Sequence, residues 1–371
     1  MKSVKKLIVP LIILVVAVAA YFIATGIARK ADRSEETVPQ TGITVFSGDG
    51  AEIKTVSFKS EKYDVAIEKS EERYYLASDS GFPLNQTTAG YFFSAASEIT
   101  GSGSIDGKGR LAEYGLEEPQ ATVTVGTSDG TIVISVGDYN KYSGSYYCRL
   151  NDGDTVYLLS SDFLGSFEYT LDDLIVHEKI EKPSNGISDV VRITVESDGG
   201  ILEYRYVPGV EAETDEDGNE ITAAVDARFD LYDPDGQLAG EAMETGEKIY
   251  DAVFGSSLTD WVDYNVTEEE KLEKYGLKSP FRTVTVYYTA TVDVTADDNS
   301  STVTKVVEKS VSMLIGDRVQ KEEPLPEQTE EPSDTTESEE PFEYDRYVKL
   351  ADGKIVYVLA ESGLEGILNG N

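Results

Sequence analysis

From Ile43 onward, short runs of the chain alternate between apolar and polar side chains, the period of a half-buried strand. Ile43–Phe46, Ile53–Phe58, Tyr63–Ile67 and Tyr74–Leu76 form the first such series, with Asp49-Gly50 as a turn between its first two members. After Pro83 the period changes. Tyr91, Phe92, Ala95, Ala96 and Ile99 fall at helical spacing, with Thr87 or Thr88 as candidate caps and Gly101, Gly103 and Gly107 as breakers. Strand periodicity returns over 121–125, 131–136, 145–150 and 155–159. Acidic and glycine pairs separate these runs, at Asp129-Gly130, Gly137-Asp138 and Asp152-Gly153, and such pairs are hairpin signals.

The second half follows the same order. Strand-like runs at Val190–Val195 and Ile201–Tyr206 precede turns at Asp217-Gly218-Asn219 and Asp233-Pro234-Asp235-Gly236. A helical pattern at Ile249, Tyr250, Val253 and Phe254 comes next. One short motif marks equivalent points in both halves. Tyr114-Gly115-Leu116-Glu117-Glu118-Pro119 recurs as Tyr275-Gly276-Leu277-Lys278-Ser279-Pro280, each copy after a charged helix-favouring stretch and before a strand-like run. Gly137-Asp138 is matched by Gly316-Asp317, and Tyr147–Gly153 by Tyr347–Gly353. The offset grows from 161 residues at the motif to 179 at the Gly-Asp pair and 200 at the late tyrosine, so the second copy carries two insertions. The later insertion is Glu322–Glu343, rich in Glu, Pro, Ser and Thr, which has too little apolar content to bury and is expected to be a disordered loop.

The motif reads as a helix stop. Gly115 and Gly276 can take the left-handed conformation that ends a helix, Leu116 and Leu277 fold back on the last turn, and Pro119 and Pro280 block its continuation. Tyr114 and Tyr275 then pack the helix end against the sheet.

The N-terminus adds a different element. Leu7–Ala28 contains no charged residue and is long enough to cross a bilayer as a helix. Lys2, Lys5 and Lys6 precede it, and Arg29, Lys30 and Arg33 follow. The reading is an uncleaved signal anchor, with 1–6 as a cytoplasmic tail, 7–28 as the transmembrane span, 29–41 as a tether and the bulk of the chain extracytoplasmic. A module over 42–182 and a second over 183–371 complete the expected organisation. The expected class is α+β: two tandem repeat modules, each an antiparallel or mixed sheet with one main helix.

Composition narrows the chemistry. With 32 basic against 69 acidic residues the chain carries −37, a surface that repels nucleic acid. The single cysteine, Cys148, excludes an internal disulfide and sits in a strand-like run as a structural thiol. His177 is the one histidine, so no histidine-based metal cluster can form, and it lacks a Gly-x-Ser-x-Gly partner motif. Glu213–Gly218 resembles the start of a calcium loop, but Ala224 stands where the closing acid belongs. Gly101-Ser102-Gly103 has no following Lys-Ser/Thr and reads as a linker, and Trp261 reads as core. No catalytic, cofactor-binding or metal-binding residue emerges.

The repeated order of helix, Leu-x-x-Tyr-Gly-Leu-x-x-Pro motif, Gly-Asp hairpin and late Val-Tyr strand (Val156-Tyr157, Val356-Tyr357) resembles the domain of unknown function 4340 family of bacterial membrane-anchored proteins, over 43–368 and in two copies. One departure is Tyr75 ahead of Phe82-Pro83, where family members often have a tryptophan. The resemblance implies an accessory, non-catalytic binding or scaffold component of an ABC-type transport complex or a related envelope complex, with protein partners in the membrane. The alternatives are a cell-envelope enzyme acting on polysaccharide or peptidoglycan, and a surface adhesion or spacer protein.

Overall fold

The computed structural model describes residues 42–48, 52–214, 220–295, 302–320 and 344–369. The expected tail, membrane span, tether and acidic loop lie outside these residues, as do Asp217-Gly218-Asn219. Among the described residues, no helix is long and apolar enough to cross a membrane. The chain divides into two compact units: Leu84–Leu174 together with the residues up to Ser80, and Ile175 onward together with Gly81–Pro83.

The class corrects the sequence expectation. Among the described residues 49% are in strands and 19% in helices, so the fold is mostly β, not α+β. The physical reason is the hairpin chemistry. Turns such as Asp129-Gly130, Asp152-Gly153 and Asp352-Gly353 return the chain beside the strand it has just made, and two nine-stranded sheets accumulate around helices of only 12 residues each; Gly137-Asp138, also read as a hairpin signal, instead lies inside the strand Gly130–Asn140, and the strands on either side of Asp49-Gly50 do not pair. Every ladder described is antiparallel.

The first unit contains β1 (Ile43–Ser47), β2 (Ile53–Ser60), β3 (Asp64–Ser70), β4 (Arg73–Leu76), β5 (Glu98–Asp106), β6 (Ala121–Thr127), β7 (Gly130–Asn140), β8 (Ser145–Leu150) and β9 (Thr155–Ser160). Their spatial order is β1-β5-β9-β8-β7-β6-β2-β3-β4. The helix Gln86–Ser97 is capped by Asn85, whose side chain accepts from the Thr87 and Thr88 amides. The threonines singled out in the sequence are thus the capped amides, not the cap. The helix buries Ala89, Phe92, Phe93 and Ala96. Phe167 lies 5.4 Å from Phe92 and 5.9 Å from Phe58, and all three rings are fully buried. Each such ring contributes about 1.5–3 kcal/mol of transfer free energy. The helix ends at Ser97, and Ile99 already belongs to β5. Gly101 and Gly103 lie inside that strand and are not a linker. A Cβ at Gly101 would come within 3.0 Å of the Leu158 carbonyl on the adjacent β9, so glycine is what lets the two backbones pair here.

The second unit contains β10 (Val190–Ser197), β11 (Gly200–Val207), a small separate hairpin of β12 (Glu213–Thr214) and β13 (Glu220–Thr222), β14 (Arg228–Tyr232), β15 (Leu238–Glu241), β16 (Trp261–Asp263), β17 (Arg282–Thr295), β18 (Thr302–Gln320), β19 (Tyr344–Leu350) and β20 (Val356–Ala360). The nine-stranded sheet runs β15-β14-β11-β10-β17-β18-β19-β20-β16. Eight of its strands follow the path β4-β3-β2-β6-β7-β8-β9-β5 of the first sheet; the ninth is β15 here and β1 there. The helix Met243–Phe254 lays Gly246 against the ring of Phe229 and joins a core with Ile193, Tyr204, Val286, Met313 and Val348.

One ionic cluster ties the end of β18 to β19. Glu361 accepts from Arg318 Nε at 2.6 Å and from Arg346 Nε at 2.7 Å, and Arg346 also donates to the Gly316 carbonyl and lies 4.1 Å from the Phe281 ring centre. Burial alone would raise the Glu361 pKa, but the two guanidinium groups outweigh it and hold the carboxyl below its ordinary value of 4.5. Hydrogen bonds from Arg205 likewise depress Glu203, and those from Asn185 depress Asp189. Folded pKa values below the unfolded ones give stability that is complete above the unfolded pKa and is lost as pH falls through the folded one. The urea midpoint followed by Trp261 fluorescence is therefore expected to fall as pH drops below about 4.5. Glu361→Gln should flatten that fall while lowering the midpoint at pH 7.

Candidate functional site

The repeated motif is built the same way in both units. Leu111–Tyr114 is a single 3-10 turn and Glu269–Lys274 a short α-helix, and each ends in a left-handed glycine, Gly115 and Gly276 both at φ +66. The next residue bonds back five positions: Leu116 N to Leu111 O at 3.0 Å and Leu277 N to Leu272 O at 2.8 Å, the closing bond of a Schellman turn. This stop docks on a bulge. The β7–β8 register slips between Val136 and Tyr139, and the β18–β19 register between Ile315 and Arg318. Gly137-Asp138 and Gly316-Asp317 occupy those bulges. A Cβ on Gly137 would overlap the Tyr114 carbonyl, and one on Gly316 the Tyr275 carbonyl.

Tyr114 stacks 4.8 Å from Tyr147, and Tyr275 stands 4.9 Å from Tyr347. Leu116 and Leu277 are buried in small clusters with Val156 and Val356. Pro119 and Pro280 follow just outside each turn, before β6 and β17. The polar atoms are engaged as well: Tyr275 Oη donates to Asp263 at 2.8 Å and Lys274 donates to Tyr275 Oη at 2.7 Å. The tyrosine, glycine and leucine of each copy thus pack a helix end against a bulged strand.

The chemically distinctive residues go elsewhere. Cys148 is fully buried, and burial pushes its thiol up to about 12, which keeps it protonated and inert. Trp261 is half-buried on the edge strand β16, 6.1 Å from Phe82 and 5.9 Å from Tyr264, and is not a core residue. Asp297-Asp298-Asn299 and most of Glu213–Gly218 lie outside the described residues. Among the described residues no group of three or more His, Cys, Asp and Glu side chains could hold a metal ion.

Among the described residues of the second unit, two cavities bear on function. The larger, about 540 Å³, lies between the end of the helix Met243–Phe254 and the C-terminal turn, and two of its polar side chains are engaged within the protein. Lys248 pairs with Glu244 at 2.8 Å and Ser256 Oγ donates to the Ala252 carbonyl. The smaller, about 320 Å³, is lined by Glu178, Lys179, Ser310, Ser312, Asp352 and Gly353. Glu178 Oε1 accepts from the amides of Lys354 and Ile355 and so clamps the β19–β20 turn, and the Glu178 amide donates to Tyr357 Oη at 2.9 Å. Glu178 Oε2 is shielded from solvent and has no hydrogen-bond partner, and the same is true of the neighbouring His177 Nδ1. Beneath them Lys349 is buried, its ammonium bonded to the carbonyls of Leu350 and Ala351. Burial lowers the Lys349 pKa, with the charges of Glu178 and Asp352 acting the other way.

This cavity sits where the sheet changes width. β17 and β18 pair over their full length from Arg282↔Ile315 to Thr295↔Thr302. On the outer sides, β10 accompanies β17 only from Thr283 to Tyr288, and β19 accompanies β18 only from Met313 to Gln320. The last bond on the β19 side runs from Ala351 N to Ser312 O at 2.9 Å. Beyond it β18 has no strand beside it among the described residues, and Thr304, Val306, Glu308 and Ser310 are exposed. The sequence signalled an insertion in this hairpin; that it extends both strands and leaves an open edge depends on where β10 and β19 stop, which periodicity does not encode.

No curated protein and no solved structure matches the chain. The sequence profile of the domain of unknown function DUF4340 matches residues 75–280. The match runs as one span from within β4, across both Tyr-Gly-Leu motifs, to Pro280; it does not divide the chain into two copies and is shorter than the 43–368 read from the sequence. Since it covers more than half of the 371 residues, the chain belongs to the DUF4340 family.

Proposed function

We propose that the protein is a non-catalytic binding and scaffold module, anchored in a membrane by Leu7–Ala28 with its bulk extracytoplasmic, and that it serves as an accessory component of an ABC-type transport or related envelope complex. The observation that carries this reading is the exposed outer part of the β17–β18 hairpin, whose backbone edges have no sheet partner among the described residues where Val306 is 71% exposed. Unpaired strand edges are docking templates for other chains. The spent motif residues and the protonated Cys148 thiol support it, because the most recognisable groups of the sequence are committed to architecture. The apolar N-terminal stretch with its flanking lysines supports the membrane anchor. Affinity purification of the full chain from native membranes should recover ATPase and permease subunits of one transporter in constant ratio. Recovery of the chain alone, with and without cross-linking, would contradict the reading.

A further inference from the structure

We propose that the free edge of β18 binds an extended segment of a partner protein, antiparallel to β18 and with its cationic amino end seated at Glu178. This rests on the scaffold reading and names the partner chemistry of the same surface.

The direction follows from the sheet. Ser312 turns its carbonyl toward β19, so by the alternation of an antiparallel ladder Ser310, Glu308, Val306 and Thr304 point their N–H and C=O groups to the same open side. The residues between them, Lys305, Val307 and Lys309, are turned to β17. A strand added here as a continuation of the line of β19 runs antiparallel to β18. Its amino end then lies at Ser310–Ser312, the wall of the 320 Å³ cavity. A parallel strand would put a carboxylate there, beside Glu178 and Asp352.

The cavity offers an ammonium group the Glu178 carboxylate on its wall; Oε2 has no hydrogen-bond partner but is closed off from solvent against Gly353, so the attraction is one of charge. The charged groups around it are Glu178 and Asp352 against Lys179 on the rim and Lys349 beneath, so the pocket alone is close to neutral. The preference for a basic segment comes from the −37 of the whole chain, which draws cationic partners at long range. Four alternate edge residues with no strand partner among the described residues fit an extended chain better than a small cation, which would use the cavity and leave the edge untouched. Lys309, already paired with Glu181 at 2.7 Å, stays out of the contact.

The probe is a nine-residue peptide amide of alternating valine and threonine with lysine at each end and a free amino terminus, titrated into the full chain by fluorescence anisotropy. Binding should slow amide exchange at Thr304, Val306, Glu308 and Ser310, measured by NMR, and leave Lys305, Val307 and Lys309 unchanged. Acetylating the peptide, or Glu178→Gln, should weaken binding about tenfold through loss of one charge contact. The double variant Val306→Pro/Glu308→Pro removes two edge donors without touching the β17 ladder and should abolish binding. The proposal is overturned by no binding, by binding that leaves the four edge amides exchanging freely, by equal affinity for the acetylated peptide, or by a self-dimer that protects the same amides without peptide. Peptide failure with transporter subunits still co-purifying rejects this inference alone; peptide binding with no subunits recovered rejects the transport assignment alone.

Discussion

Phe229→Ala should lower the stability of the second unit by about 3–5 kcal/mol, the range for removing a buried aromatic ring. The ring is fully buried, Tyr206 meets its edge at 5.3 Å, and Gly246 lies directly against its face. The helix Met243–Phe254 can approach β14 this closely only because position 246 has no Cβ. Truncating the ring leaves a void between rigid backbone elements, so relaxation will be small and the cost should sit high in the range. Trp261 is the only tryptophan and belongs to this unit, so its fluorescence in urea reports the change directly. A midpoint shift corresponding to under 1 kcal/mol would mean that the helix does not depend on this contact.

Gly316→Ala and Gly137→Ala should each cost about 3 kcal/mol, or several degrees in Tm, although each adds one methyl group. Overpacking is usually relieved by a rotamer change. Here the obstructing atoms are the backbone carbonyls of Tyr275 and Tyr114, which the Schellman turns hold in place. Relief requires the helix stop to lift off the bulge and the Tyr275–Tyr347 or Tyr114–Tyr147 pair to separate. Gly363→Ala is the control: nothing lies within 4 Å of a Cβ there, and its effect should stay within about 0.5 kcal/mol. A neutral Gly316→Ala would show that the motif does not fix the helix end, and would reopen the motif as a binding element.

The residues that announced themselves in the sequence were legible because their physics is local. Alternation located the hairpins, the αL requirement at Gly115 and Gly276 explained the stop, and Leu116 and Leu277 fold back as a helix end demands. What was illegible depended on distant partners. Gly101 and Gly103 looked like breakers, yet both are strand residues, and at Gly101 the missing side chain admits β9. β15 (Leu238–Glu241) is exposed at every position and shows no alternation, so nothing marks it as the ninth strand. The class was misjudged because each helix has a clear local signature while the sheets grow by pairing that the sequence does not display. Thr87 and Thr88 drew attention as caps, but the chain leaves extended geometry at Asn85, and its carboxamide reaches the amides first. Glu178 stood in an acidic stretch among so many carboxylates that only its unpartnered, shielded oxygen distinguishes it.

The proposed docking site is the edge of β18, while the two Tyr-Gly-Leu motifs hold helix ends on bulged strands. The direct test is quantitative recovery of transporter subunits with the full chain from native membranes, for wild type, Tyr114→Phe/Tyr275→Phe and Val306→Pro/Glu308→Pro. The account predicts recovery at the wild-type level for the tyrosine variant and loss of it for the proline variant, with Trp261 fluorescence showing both folded. Retention by the proline variant together with loss in the tyrosine variant would contradict it.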